Sequence, residues 1–132
     1  MIDKEETERR SHMFKKVLII EDSHILFEMY KSVFSIYPSC RLFLASNGLD
    51  AMDQLTLQEN IDLIISEIYM PKMDGLNFLK TMYQKGYSHI PVIVSSFESN
   101  DHIFQKAIDM GARAYIKKPW HPQQILDLIG RL

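Results

Sequence analysis

Cysteine is all but absent from this 132-residue chain: Cys40 stands alone, so no intramolecular disulfide can close and no cysteine cage for zinc can be built. A reducing, cytoplasmic setting is the expectation. Charge of one sign is also lacking. The 15 Lys and Arg residues against 17 Asp and Glu give a formal charge of −2. That balance offers no general attraction for a polyanion or an anionic bilayer, which argues against direct nucleic-acid and membrane binding. No apolar run has the form of a secretory signal or a membrane span. No glycine-rich nucleotide loop occurs, so an ATPase or dehydrogenase reading has no support. His12, His24, His89, His102 and His121 are scattered without metal-ligand spacing and are read as surface or partly packed residues, His24 lying close enough to the first acidic pair to touch its rim.

What is present is a globular composition, 46% hydrophobic and 24% charged, at a length suited to one core. Residues 1–13 are charged and nearly free of apolar side chains and are read as a flexible tail; 14–132 form the single domain. From Phe14 onward, short apolar blocks alternate with amphipathic stretches. Val17–Ile20 reads as a strand buried on both faces, followed by a helix over Ser23–Tyr37 with Ile25, Met29, Val33 and Ile36 on one side and Pro38 past its end. Arg41–Ala45 is a second strand, and Leu49–Leu57 a helix striped by Leu49, Met52, Leu55 and Leu57. Asp62–Ser66 leads to a helix carrying Leu76, Leu79, Met82 and Tyr83. Pro91–Ser95 leads to one carrying Ile103, Phe104, Ala107 and Ile108 and stopped at Gly111. Ala114–Ile116 and a helix with Ile125, Leu126, Leu128 and Ile129 complete five βα units.

Short apolar strands alternating with helices require an α/β architecture, a doubly wound parallel sheet covered on both faces by right-handed crossovers. Ligands of such sheets bind at the carboxyl ends of the strands. There the chain places Glu21 and Asp22 after the first strand, Glu67 after the third, Ser96 after the fourth and Lys118 after the fifth. Carboxylates gathered on one rim repel unless a hard cation such as Mg²⁺, which prefers carboxylate, water and phosphate oxygens, neutralises them. Asp74-Gly75 reads as the turn before the third helix, with the carboxylate favourable at its N-terminus. Lys72 and Lys117 read as solvated.

The motifs VLIIEDS (Val17–Ser23), DLIISEIYMPKMDG (Asp62–Gly75), PVIVSSF (Pro91–Phe97) and GARAYIKKPW (Gly111–Trp120), in this order and spacing, resemble the receiver domain of two-component response regulators. The resemblance implies a flavodoxin-like, chemotaxis-regulator-like (βα)5 fold with strand order 2-1-3-4-5. It also implies an acidic pocket that binds Mg²⁺ and takes a phosphoryl group from a histidine kinase or phosphotransfer protein in a phosphorelay. Glu21 and Asp22 match the family's acidic pair, Glu67 the phosphoacceptor position, and the Tyr69 backbone carbonyl the remaining metal ligand. Ser96 matches the switch hydroxyl, Tyr115 the switch aromatic, and Lys118 the phosphate-pairing lysine, whose bond to Pro119 is often cis in the family. Output is expected through the face of the fourth helix, fifth strand and fifth helix, toward a downstream protein or domain or a second copy in a homodimer. Ile103, Phe104, Trp120 and His121 are candidate contributors to that face. After Lys118 only one short helix remains, so the expectation is a stand-alone receiver or a receiver cut from a longer protein.

The pattern breaks at its chemical centre, where the family's aspartate is replaced by Glu67. One more methylene adds about 1.5 Å of reach, and a misplacement of about 1 Å can cost roughly a hundredfold in rate. The longer side chain also carries its carboxylate into the space a phosphoryl group would fill, within reach of Ser96 and Lys118. The leading expectation is a receiver in which Glu67 replaces or imitates phospho-aspartate, leaving Mg²⁺ binding weakened or altered. The alternative is an ordinary phosphorylatable receiver in which Glu67 is an engineered replacement of aspartate. A small phosphohydrolase working through an acyl phosphate is the competing class, but no second acid stands two residues after Glu67 and no cap domain fits. The chain is therefore not expected to be an enzyme. Phe97, bulky where the family is commonly small, either narrows the path to the pocket or packs over the junction of the fourth strand and helix.

Overall fold

The computed structural model describes residues 14–132 together with Asp3 and Glu5; apart from those two, the expected tail over 1–13 lies outside the described residues. The apolar blocks form β1 (Lys16–Ile20), β2 (Arg41–Ala45), β3 (Leu63–Ser66), β4 (Val92–Ser96) and β5 (Ala114–Lys117). Between and after them run α1 (His24–Phe34), α2 (Gly48–Leu57), α3 (Gly75–Gln84), α4 (Asp101–Asp109) and α5 (Pro122–Ile129). The strands pair in parallel in the order β2-β1-β3-β4-β5, the arrangement expected of the five βα units.

Side chains alternate across the sheet, so each strand feeds two core layers. Leu18, Ile20, Ile64, Val92 and Val94 meet Phe78, Leu79 and Phe104 on one face. Val17, Ile19, Leu63, Ile65 and Ile93 meet Tyr30, Val33, Phe34, Trp120, Ile125 and Ile129 on the other. With both faces covered, the central strands have no solvent side to mark with polar residues, which is why they read as continuous apolar runs.

The helices begin where short polar side chains follow the strands. Ser23 caps α1, Asn47 caps α2, Asp74 caps α3, Asn100 caps α4 and His121 caps α5, each accepting from a backbone N–H of the first turn. Gly111, at φ +112°, follows α4 in the left-handed region, as its place after the fourth helix suggested.

Several expected stripes hold only in part. Helix α1 stops at Phe34 and buries Tyr30, Val33 and Phe34, while Ile25 is 76% exposed and Met29 and Ile36 are also exposed. Leu49 and Leu57 on α2 and Tyr83 on α3 likewise face solvent, while Leu55, Leu79 and Met82 are buried as expected and Ala51 and Phe78 join them in the core. On helices with apolar residues over more than half the circumference, spacing alone does not select the arc that meets the sheet.

Candidate functional site

Parallel pairing extends one step beyond the strand ends and fixes the site. The Glu21 amide donates to the Ala45 carbonyl at 3.0 Å, the Glu67 amide to the Ile20 carbonyl at 3.0 Å, and the Lys118 amide to the Ser96 carbonyl at 2.8 Å. Helix α3 presses on the same corner. A Cβ on Gly75 would collide with the Glu67 carbonyl oxygen, and the Gly75 amide donates to the Ile68 carbonyl at 2.7 Å. Only glycine lets α3 start this close to the acid-bearing backbone.

Glu21, Glu67, Ser96 and Lys118 are all buried and meet at this rim. The Lys118 Nζ lies 2.5 Å from Glu21 Oε2 and 3.3 Å from Glu67 Oε2. The Ser96 hydroxyl donates to Glu67 Oε1 at 2.9 Å, and the Ser23 amide donates to Glu21 Oε1 at 3.2 Å. Glu67 Oε2 receives no hydrogen bond of good geometry, leaving the ion pair with Lys118 as its compensation. Burial pushes the Glu21 carboxyl above its usual range, opposed by the hydrogen bond and charge of Lys118 and by the Ser23 amide. The Lys118–Pro119 peptide bond is cis.

The rim around this centre is more open. Asp22 and His24 are exposed, and Tyr69 sends its hydroxyl to the carboxylate of Glu98, linking the β3–α3 and β4–α4 loops. That hydrogen bond lowers the Glu98 carboxyl and raises the Tyr69 phenol. The Glu98 amide in turn donates to the Ser96 hydroxyl at 3.3 Å. Phe97 is 65% exposed, its ring centroid 5.4 Å from the Lys118 ammonium, so the ring borders the charged centre rather than filling the β4–α4 junction.

Tyr115 is 40% exposed and stacks on the buried Phe104 at 4.4 Å. Lys117, expected to be solvated, pairs with Asp101 at 2.9 Å. Trp120 corrects an expectation. Instead of joining the face of α4, β5 and α5, it is 4% exposed and donates from its indole N–H to the Ser95 hydroxyl at 3.1 Å. Phe104 is buried as well, Ile103 is half-buried, and His121 is exposed. Tyr30 packs on Trp120 with ring centroids 4.9 Å apart. Burial raises the Tyr30 phenol, opposed by hydrogen bonding with Ser95 and Trp120. This polar group under the sheet was missed in the sequence, although a lone tryptophan directly after Lys118-Pro119 was a signal available there.

A parallel 2-1-3-4-5 sheet with two buried acids, a hydroxyl and a buried lysine at its carboxyl edge places this chain among the doubly wound, CheY-like α/β proteins. The chain belongs to the response regulator receiver domain family, whose model matches residues 17–130. It is 30% identical over 119 residues to the sporulation initiation phosphotransferase F of Bacillus subtilis, covering 90% of this chain and 94% of that protein. A probable transcriptional regulator of Pyropia yezoensis is 34% identical over 121 residues, 91% of this chain, and this chain spans only 54% of that protein's length. A putative two-component response regulator of Arabidopsis thaliana is 30% identical over 113 residues, which make up 18% of its length and 85% of this chain. Among solved structures, the Vibrio cholerae chemotaxis protein CheY4 superposes with a TM-score of 0.79 at 26% identity, covering 89% of this chain and 98% of that one.

Receiver domains generally are non-enzymatic signalling modules that bind Mg²⁺ at their phosphorylation site and interact with histidine kinases or phosphotransfer proteins. The carboxylates of Glu21, Asp22 and Glu67 and the Tyr69 carbonyl are oxygen donors of the kind Mg²⁺ takes. The Lys118 ammonium already lies against both buried carboxylates and Asp22 is exposed. Among the described residues no group of three or more His, Cys, Asp or Glu side chains is gathered to hold a metal. No helix among them is long and apolar enough to cross a membrane.

Proposed function

We propose that this chain is a phosphorelay receiver whose Glu67 stands in for a phosphorylated acceptor and gives a phosphorylation-independent conformation. The observation that carries this reading is the pair of contacts on Glu67: Ser96 donates to one carboxylate oxygen and Lys118 pairs with the other. In that reading these are the contacts a phosphoryl group would otherwise attract, supplied here by one added methylene. The added methylene also changes the reach of the acid by about 1.5 Å, and phosphoryl transfer depends mostly on positioning and charge stabilisation.

In the same reading Ser96 and Tyr115 are the switch residues, and upstream recognition is by a histidine kinase or phosphotransfer protein. Output runs through the face of α4, β5 and α5. Mg²⁺ binding is weakened because Lys118 supplies the positive charge that Glu21 and Glu67 require. A Glu67→Asp substitution withdraws one carboxylate from Lys118 and frees Glu21, Asp22, the shortened acid and the Tyr69 carbonyl for the ion.

Incubation with a small-molecule phosphodonor and Mg²⁺, followed by intact mass, tests the proposal. The expected result is no phosphoryl adduct on the parent and ready labelling of the Glu67→Asp variant. Rapid, stoichiometric gain of one phosphoryl group by the parent overturns the proposal and leaves the ordinary switch, which the unbonded Glu67 Oε2 would serve as nucleophile.

A further inference from the structure

Lys118 and Trp120 are anchored to consecutive residues of one strand. The Lys118 amide is held by the Ser96 carbonyl at 2.8 Å, and the Trp120 indole N–H by the Ser95 hydroxyl at 3.1 Å. Pro119, between them, is exposed. The first anchor lies on the main chain beside the charged centre. The second lies in the core layer beneath α1 and α5, where the Tyr30 ring packs at a tilt against the indole. An apolar layer needs volume and not polarity, and an indole N–H placed there is costly unless it finds a partner. A matched N–H and hydroxyl fixes direction as well as volume, which ring packing alone does not.

We propose that Trp120, through its hydrogen bond to Ser95 and its packing on Tyr30, is a positioning residue that holds the Lys118 ammonium between Glu21 and Glu67. With both ends of the three-residue segment pinned to β4, the backbone of Lys118 cannot swing outward. Its long side chain is then delivered to the carboxylates with little freedom left to lose. With the second pin removed, the segment keeps its sheet pairing through Lys117 and the Lys118 amide, but the direction of the turn after Lys118 is no longer fixed and the ammonium samples solvent. The proposal rests on reading Glu67, Ser96 and Lys118 as the functional centre, and concerns only how the ammonium is kept there.

Competitive acylation of the native full chain with a trace amine reagent, read by peptide mass spectrometry, measures how far Lys118 is withdrawn from solvent. Trp120→Phe, which keeps a ring and loses the N–H, and Ser95→Ala, which loses the acceptor, are each expected to raise Lys118 acylation about tenfold, the size of one net hydrogen bond. Exposed Lys117 should label at the parental rate in both. Ile129→Val, which loosens the same core layer without touching the hydrogen bond, should leave Lys118 protected. Unchanged Lys118 labelling in Ser95→Ala, or an equal rise in Ile129→Val, overturns the proposal and reduces Trp120 to core filling. If Trp120→Phe loses its folded circular dichroism, Ser95→Ala decides the matter. The phosphodonor experiment reads Glu67 by mass and does not depend on this outcome, so the two proposals fail separately.

Discussion

On one side of β4 the hydroxyl of Ser96 donates to a buried carboxylate that also faces an ammonium; on the other the hydroxyl of Ser95 accepts from an indole amid aromatic and aliphatic side chains. The two residues are neighbours in sequence, share a strand and carry the same functional group. The pleat sends them to opposite layers, and the layer decides what each hydroxyl is for. Next to ionised groups, the hydroxyl supplies a charge-assisted bond that settles an electrostatic deficit. Among apolar side chains, it serves to orient a ring. A single short strand therefore joins a charged centre above the sheet to a packed aromatic layer within it.

The contrast breaks most severely at Lys118. Lys118→Met leaves two carboxylates buried without their cation, a change expected to cost about 3–5 kcal/mol, measurable as a lowered urea midpoint. The comparison sharpens with the paired serine variants. Ser96→Ala removes a hydrogen bond to a charged group and should cost about 1.5–3 kcal/mol, whereas Ser95→Ala removes only neutral hydrogen bonding, to Trp120 and Tyr30, at about 1 kcal/mol for each bond; a larger loss in Ser95→Ala than in Ser96→Ala would erase the distinction between the two layers.

The charged side should also respond to pH. The folded-state pKa of Glu21 lies above its ordinary 4.5, so between those two values the folded protein holds a proton that the unfolded chain has released. The contribution of Glu21 to stability is present below 4.5 and declines as pH rises through the folded value. In urea titrations across that window, the parent should lose stability relative to Glu21→Gln as pH increases, while Ser95→Ala should track the parent. The smallest effect is expected far from both layers: Ile25→Ser, at an exposed position of α1, should stay within about 0.5 kcal/mol of the parent, and a larger loss would show that α1 packs differently.

Much of this organisation was legible in the sequence because it depends on features that survive without tertiary detail. Val17–Ile20 and Leu63–Ser66 are short, apolar and bounded by polar residues, which suits strands covered on both sides. Since parallel strands share one carboxyl edge, Glu21, Glu67 and Lys118, directly after their strands, and Ser96, the last residue of β4, come to one rim once the strand count is right. The rotation of α1 was not legible. Of the expected stripe only Val33 is buried; Ile25 and Met29 are spaced as regularly as Leu26 and Tyr30, and the choice is made by the shape of the sheet surface. The inward turn of Trp120 was hidden for a related reason: its partners, Ser95 and Tyr30, are distant in sequence and neither advertises a buried polar contact.

Trp120 is the only tryptophan in the chain and lies two residues from the lysine of the charged centre. Ultraviolet emission excited at the red edge of the spectrum therefore reports from this one location. The molecule carries its own optical probe, and events at the sheet's carboxyl edge can be followed in real time without attaching a dye.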